Sequence, residues 1–109
     1  MNSANKMNDQ VVIVTGASRG IGKAIALLLG QTGAEIVVNY SSSPEQAQAV
    51  VTEIISKGGN AYAVQANISN ESEVEGLVKK VLDKSGQIDV LVNNAGITRD
   101  GLLMRMKTE

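Results

Sequence analysis

The stretch Val11-Val12-Ile13-Val14-Thr15-Gly16-Ala17-Ser18-Arg19-Gly20-Ile21-Gly22 decides how the rest of the chain is read. Its first four residues are apolar β-formers in an unbroken run, the pattern of a short strand buried on both faces. Three glycines follow at the spacing Gly-x3-Gly-x-Gly, and Ile21, Ile25, Leu28 and Leu29 then recur at helical intervals as the expected buried stripe. Each glycine has a physical task in such a strand-turn-helix unit. One permits the tight turn, one lets the backbone approach a pyrophosphate, and one lets helix and strand pack closely. The helix N-terminus offers unpaired N–H groups and the positive end of its dipole to an anion. Gly16, Ala17, Ser18, Arg19, Gly20, Ile21 and Gly22 are therefore candidate binding residues for the diphosphate of a dinucleotide. A tight turn with no ligand would use the same glycines.

Outward from this unit, strands and helices alternate. The first helix is expected to end before Gly33, and Ile36-Val37-Val38 is a second strand running into the polar stretch Asn39 to Ser43. Ser43, Pro44 and Gln46 combine an N-cap, a proline at the first helical position and a capping-box partner. The second helix carries the stripe Ala47, Val50, Val51, Ile54 and Ile55 and stops at Gly58-Gly59. A third strand is expected over Ala61 to Ala66, and Asn70 with Glu73 caps a third helix whose stripe is Val74, Leu77, Val78, Val81 and Leu82, closed by Gly86. Ile88 to Val92 is the fourth strand, and one more helix is expected to begin near Leu102. The order β-α-β-α-β-α-β implies right-handed crossovers and an α/β fold: a Rossmann-type doubly wound parallel sheet of about four strands, in the order 3-2-1-4, with three to four helices. The ligand cleft belongs where strand order reverses, between strands 1 and 4. Strand 4 is then an exposed edge rich in Val and Leu, which predicts self-association.

A chain of 109 residues is enough for one domain, here residues 1–109 with a polar extension over 1–9. Apolar residues make up 43% of it with neither Phe nor Trp, so the core must be built from Val, Ile, Leu and Ala. A net charge of −1 gives no basic footprint for nucleic acid. The absence of Cys removes disulfides, thiolate chemistry and Cys-based metal sites, and no metal is expected. No apolar run approaches the ~20 residues that cross a bilayer, so no membrane partner is expected and the protein is read as cytoplasmic.

The end of strand 2 addresses the choice of dinucleotide. NAD sites commonly place an Asp or Glu about 20 residues past the glycines to accept hydrogen bonds from the ribose hydroxyls. Asn39 to Ser43 contains no acid, and Glu35 stands at the wrong end of the strand. Arg19 lies beside the expected 2′-phosphate, where a guanidinium pairs with phosphate oxygens. NADP(H) is therefore the expected cofactor, with Ser41 or Ser42 as hydroxyl donors; Arg19 as a merely solvated turn residue is the alternative. Asn67, past strand 3, is placed to reach the adenine. Asn93-Asn94-Ala95-Gly96 ends strand 4 on the same side, where small residues let the backbone lie against the adenosine ribose. Side-chain amides bonding to the backbone would account for the two asparagines equally well.

The pair Thr15 to Gly22 and Asn93 to Gly96 resembles the signature of the short-chain dehydrogenase/reductase family. Within that family, Gly96-Ile97-Thr98-Arg99-Asp100 and Leu102 to Lys107 are similar to the 3-oxoacyl-[acyl-carrier-protein] reductases. The resemblance runs from about Gln10 to Glu109. It implies that Gly16 to Arg19, Ser41, Asn67, Ile68 and Asn94 contact NADP(H), that the substrate is a β-ketoacyl thioester of the acyl carrier protein in fatty acid biosynthesis, and that the intact enzyme is a homotetramer. It also implies catalytic Ser, Tyr and Lys residues, the last two in a Tyr-x3-Lys pair. Neither Tyr40 nor Tyr62 has a Lys four positions on, so no catalytic residue is placed in this chain. The chain is then the cofactor-binding half of a longer enzyme and inactive alone. Another short-chain reductase of different substrate, or a non-catalytic NADP-binding module, are the competing readings.

Overall fold

In the computed structural model, residues 9–94 and the backbone of 103–105 are described. The elements are β1 (Val11–Val14), α1 (Gly20–Gly30), β2 (Glu35–Tyr40), α2 (Pro44–Ser56), β3 (Asn60–Gln65), α3 (Glu71–Ser85), β4 (Val90–Val92) and β5 (Leu103–Arg105). They form one sheet in the order β3-β2-β1-β4-β5, in which the first four strands are parallel, as the sequence implied.

The strand order explains the two helical layers. From β1 to β2 to β3 the chain steps in one direction, and from β3 it returns past β1 to β4. With right-handed crossovers, that reversal puts α3 on the opposite face from α1 and α2. The side chains agree, because period-2 alternation sends Val12, Val14, Ile36 and Val38 into a core under α1 and α2. Val11, Ile13 and Val37 enter a second core with Leu77 and Val81 of α3 and with Ile88. An aliphatic sheet covered on both faces thus uses the Val/Ile/Leu/Ala palette, with the half-buried Tyr40 and Tyr62 packed against the two cores.

Helix boundaries follow local chemistry. Pro44 opens α2 behind the N-cap Ser43, although the Ser43 side chain makes no capping hydrogen bond. Asn70 caps α3 by accepting from the Glu73 N–H at 3.2 Å. The Glu73 carboxylate does not return to Asn70 as a capping box would; it accepts the Asn67 N–H at 2.8 Å. Gly86 ends α3, its N–H donating to Leu82 O at 2.9 Å.

Three expectations are corrected. The buried face of α1 is Gly22, Ala26 and Gly30, whereas Ile21 and Leu28 are exposed, at 65% and 66%. The helix approaches its neighbours closely enough that small residues must face inward: a Cβ on Gly30 would press on the Ile54 side chain of α2. In the same way Ile55 of α2 and Leu82 of α3 lie outside their buried stripes. Finally, β4 is not an edge, because Leu103–Arg105 pairs antiparallel with it, Leu91 opposite Met104. That pairing satisfies backbone groups an edge would leave open, so a strand stands where a helix was expected. Leu102 itself lies outside the described residues.

Candidate nucleotide-binding site

The site forms where β1 gives way to α1. Thr15 continues the sheet for one more bond, its N–H donating to Val92 O at 3.0 Å. The chain then turns, and two glycines do separable work. Gly20 has φ +62°, a conformation L side chains rarely adopt, although the space around its Cβ position is open. Gly22 is required by proximity, since a Cβ there would collide with Gly16 O and with the Asn94 side chain. Asn94 is held by the contact that creates this crowding, Nδ2 donating to Gly16 O at 3.0 Å.

The amides of the turn divide into two groups. Gly16 N–H donates to Asn39 Oδ1 at 3.2 Å and Ala17 N–H to Asn39 O at 2.9 Å. These two are occupied by the protein itself, which narrows the expected cradle. The N–H groups from Ser18 to Gly22 have no partner among the described residues; the first helical bond at this end comes from Lys23 N–H to Arg19 O. Arg19, the N-cap of α1, is extended, makes no side-chain capping bond and is exposed. The first turn of α1 contains no acid, so the positive end of the helix is uncompensated from within.

Beside this turn lies a cleft of about 420 Å³ across the C-terminal ends of the parallel strands, within the size range of small-ligand sites. It joins four predicted positions, Gly16, Ser41, Asn67 and Ile68, to four that were not singled out as contacts: Asn39, Ala66, Ser69 and Asn93. No lining residue is acidic or basic. Ser41 is exposed and its carbonyl accepts Gln65 Nε2 at 3.0 Å. Asn67 uses its side-chain oxygen locally, accepting Ser69 N–H at 3.0 Å and Ser69 Oγ at 2.7 Å. Its side-chain NH2 has no partner among the described residues.

Ala17, Ser18, Arg19, Gly20, Ile21, Gly22 and Asn94 do not line the cleft but adjoin it through the turn. Ala95 and Gly96 lie outside the described residues. For the asparagine pair, the backbone-bonding role is realised in Asn94, which bonds Gly16 O, whereas Asn93 meets a side chain, its Oδ1 accepting the Thr15 hydroxyl at 3.3 Å. Asn39 carried a weak signal in the sequence. A polar residue directly after Ile36-Val37-Val38 must find partners if it is buried.

Comparisons with known proteins converge with this geometry. A family model described as short chain dehydrogenase matches residues 10–109. A 3-oxoacyl-[acyl-carrier-protein] reductase of Synechocystis sp. is 65% identical over 100 residues, covering 92% of this chain and 40% of the relative. A 3-oxoacyl-[acyl-carrier-protein] reductase FabG of Staphylococcus aureus is 56% identical over 97 residues, with 89% and 39% covered. Among solved structures, a hydroxysteroid dehydrogenase from Escherichia coli superposes with a TM-score of 0.80 at 40% identity, over 88% of this chain and 41% of that one. A short chain dehydrogenase from Mycobacterium avium gives 0.77 at 43% identity, over 86% and 36%. The chain thus spans about two-fifths of the length of these relatives. With the strand order, the glycine turn and the asparagine lock in agreement with a family match along nearly all its length, this chain belongs to the short chain dehydrogenase family.

Proposed function

We propose that this chain binds NADP(H) and forms the cofactor-binding part of a cytoplasmic, homotetrameric reductase that converts 3-oxoacyl-[acyl-carrier-protein] to its 3-hydroxyacyl form in fatty acid biosynthesis. The observation that carries the reading is the run of amides from Ser18 to Gly22, without partners among the described residues, at the positive end of α1, opening beside an acid-free cleft. Those amides suit a diphosphate, which replaces the missing acceptors of the first helical turn. The cleft toward Asn67 and Ile68 suits an adenosine, and Ala95 and Gly96 would continue the ribose side. The cofactor, when bound, supplies a hydride from its nicotinamide ring.

NADP(H) is favoured over NAD(H) by charge. No carboxylate stands at the end of β2, where Asn39, Tyr40 and Ser41 follow one another, and Arg19 is exposed beside the turn with no ion-pair partner among the described residues. The substrate assignment rests on the two reductase relatives at 56–65% identity.

The 109-residue chain by itself reduces no ketone in this reading. Tyr40 packs against the core under α1 and α2. The Tyr62 hydroxyl is 2.8 Å from Ser85 Oγ at the opposite end of the sheet. Neither has a lysine four positions on to complete the Tyr-x3-Lys pair of the family.

Titration with NADP+ and NAD+, for the wild-type chain and Arg19→Ala, tests the cofactor assignment. The wild type should prefer NADP+, and Arg19→Ala should reduce that preference about tenfold, the worth of one charge-assisted hydrogen bond. An unchanged ratio would remove Arg19 from the phosphate site.

A further inference from the structure

Asn39 is the one polar residue besides Thr15 among the buried described residues, at 1% exposure, and all of its side-chain hydrogen-bonding groups are used across strands. Its Oδ1 accepts the Gly16 N–H at 3.2 Å, and its Nδ2 donates to Val64 O and to Ala66 O, each at 3.2 Å. Its backbone oxygen accepts the Ala17 N–H at 2.9 Å. One residue at the end of β2 therefore ties the turn after β1 to the end of β3. These are the two places that the nucleotide reading gives to the diphosphate and the adenosine.

We infer that Asn39 is a positioning residue that sets the spacing between the glycine turn and the end of β3, and so determines whether one ligand can engage both at once. The inference rests on the nucleotide-binding reading and deepens it. Few side chains could make this set of bonds. Asp would retain an acceptor for Gly16 but present a carboxylate to two carbonyl oxygens, and Ser is too short to span from β2 to either neighbour. A buried amide with every group satisfied holds one geometry, whereas a partly satisfied one does not. By filling the acceptor role toward Gly16 and Ala17, Asn39 also leaves the donors from Ser18 onward as the ones available to an anion.

A bridging ligand and a one-ended ligand separate this role from simple stabilisation. NADP+ spans both places, while adenosine, which has neither the diphosphate nor the 2′-phosphate assigned to Arg19, needs only the β3 side. Calorimetric titration of the folded 109-residue chain at a temperature well below its unfolding transition should show Asn39→Ser weakening NADP+ at least tenfold. The same variant should weaken adenosine less than threefold, and its Gly16 amide should exchange with solvent at least tenfold faster. If Asn39→Ser does not fold, Asn39→Thr, uncharged and suited to a strand, is read in the same two titrations, with the same separation expected.

Equal loss for both ligands, or no loss for either, would overturn the inference while leaving the nucleotide reading intact. A wild-type chain that binds neither ligand would overturn the reading and this inference with it.

Discussion

The two ends of the sheet treat their polar groups in opposite ways. At the N-terminal end they close on one another. Ser85 Oγ donates to Glu35 Oε1 at 2.6 Å and lies 2.8 Å from the Tyr62 hydroxyl, which ties α3 to β2 and β3. Lys84 sits 5.0 Å above the Tyr62 ring, and Asp89 Oδ2 accepts both the Val11 N–H at 2.8 Å and Gln87 Nε2 at 2.6 Å. At the C-terminal end, the turn from Ser18 to Gly22 keeps a row of donors without partners among the described residues, held in place by Asn39 and Asn94. Satisfied polar groups contribute stability, whereas preorganised donors left open supply binding. On the proposed reading, the contrast puts binding at one end of the fold and fastening at the other.

Substitutions at the two ends should therefore separate binding from stability. The largest effect is expected for Gly22→Ala, whose methyl group has to displace Gly16 O and the Asn94 amide. Overpacking of this kind costs about 1–3 kcal/mol, and because it moves the turn itself, NADP+ affinity should fall more than tenfold in whatever chain remains folded. Calorimetric titration together with urea unfolding checks both parts. A variant of unchanged affinity would mean that the turn is not the site.

Ser85→Ala is the counterpart at the other end. It removes one partner from Glu35 and one from Tyr62, and should cost about 1 kcal/mol in urea unfolding while leaving NADP+ affinity within about twofold. A large affinity loss here would break the separation between the ends.

The smallest effect is pH-dependent. Burial, with the nearby Glu35 carboxylate, raises the Tyr62 phenol above its ordinary value. A folded-state pKa above the unfolded value of about 10 means that the fold favours the neutral phenol, so its contribution is complete below that pH and is lost as pH rises through the folded value. Unfolding midpoints measured from pH 8 to 11.5 should decline more steeply above about pH 10 for the wild type than for Tyr62→Phe.

How much of this was legible from residues alone depends on the range of the interaction. The strand-turn-helix unit from Val11 to Gly22, the starts of α2 and α3 at Pro44 and Asn70, and the strand order could be read because each rests on neighbours in sequence or on crossover handedness. The inward face of α1 was misread because periodicity rewards large apolar residues, and close helix packing selects the small ones, Gly22, Ala26 and Gly30. Asn39 meets Gly16, 23 positions away, and Ala66, 27 away, so its role has no local signature. The pairing of Leu103–Arg105 with β4 was hidden for the same reason. Four candidate positions do meet at one cleft, and the division between amides bonded to Asn39 and amides without a partner among the described residues is visible only in three dimensions.

The most direct test follows backbone amide resonances of the isotope-labelled chain during NADP+ addition. The largest shifts should fall on Ser18 to Gly22, with Asn67 and Ile68 next and the amides around Ser85 and Gln87 unmoved. Saturable binding whose shifts bypass Ser18 to Gly22 would contradict the placement of the site at this turn.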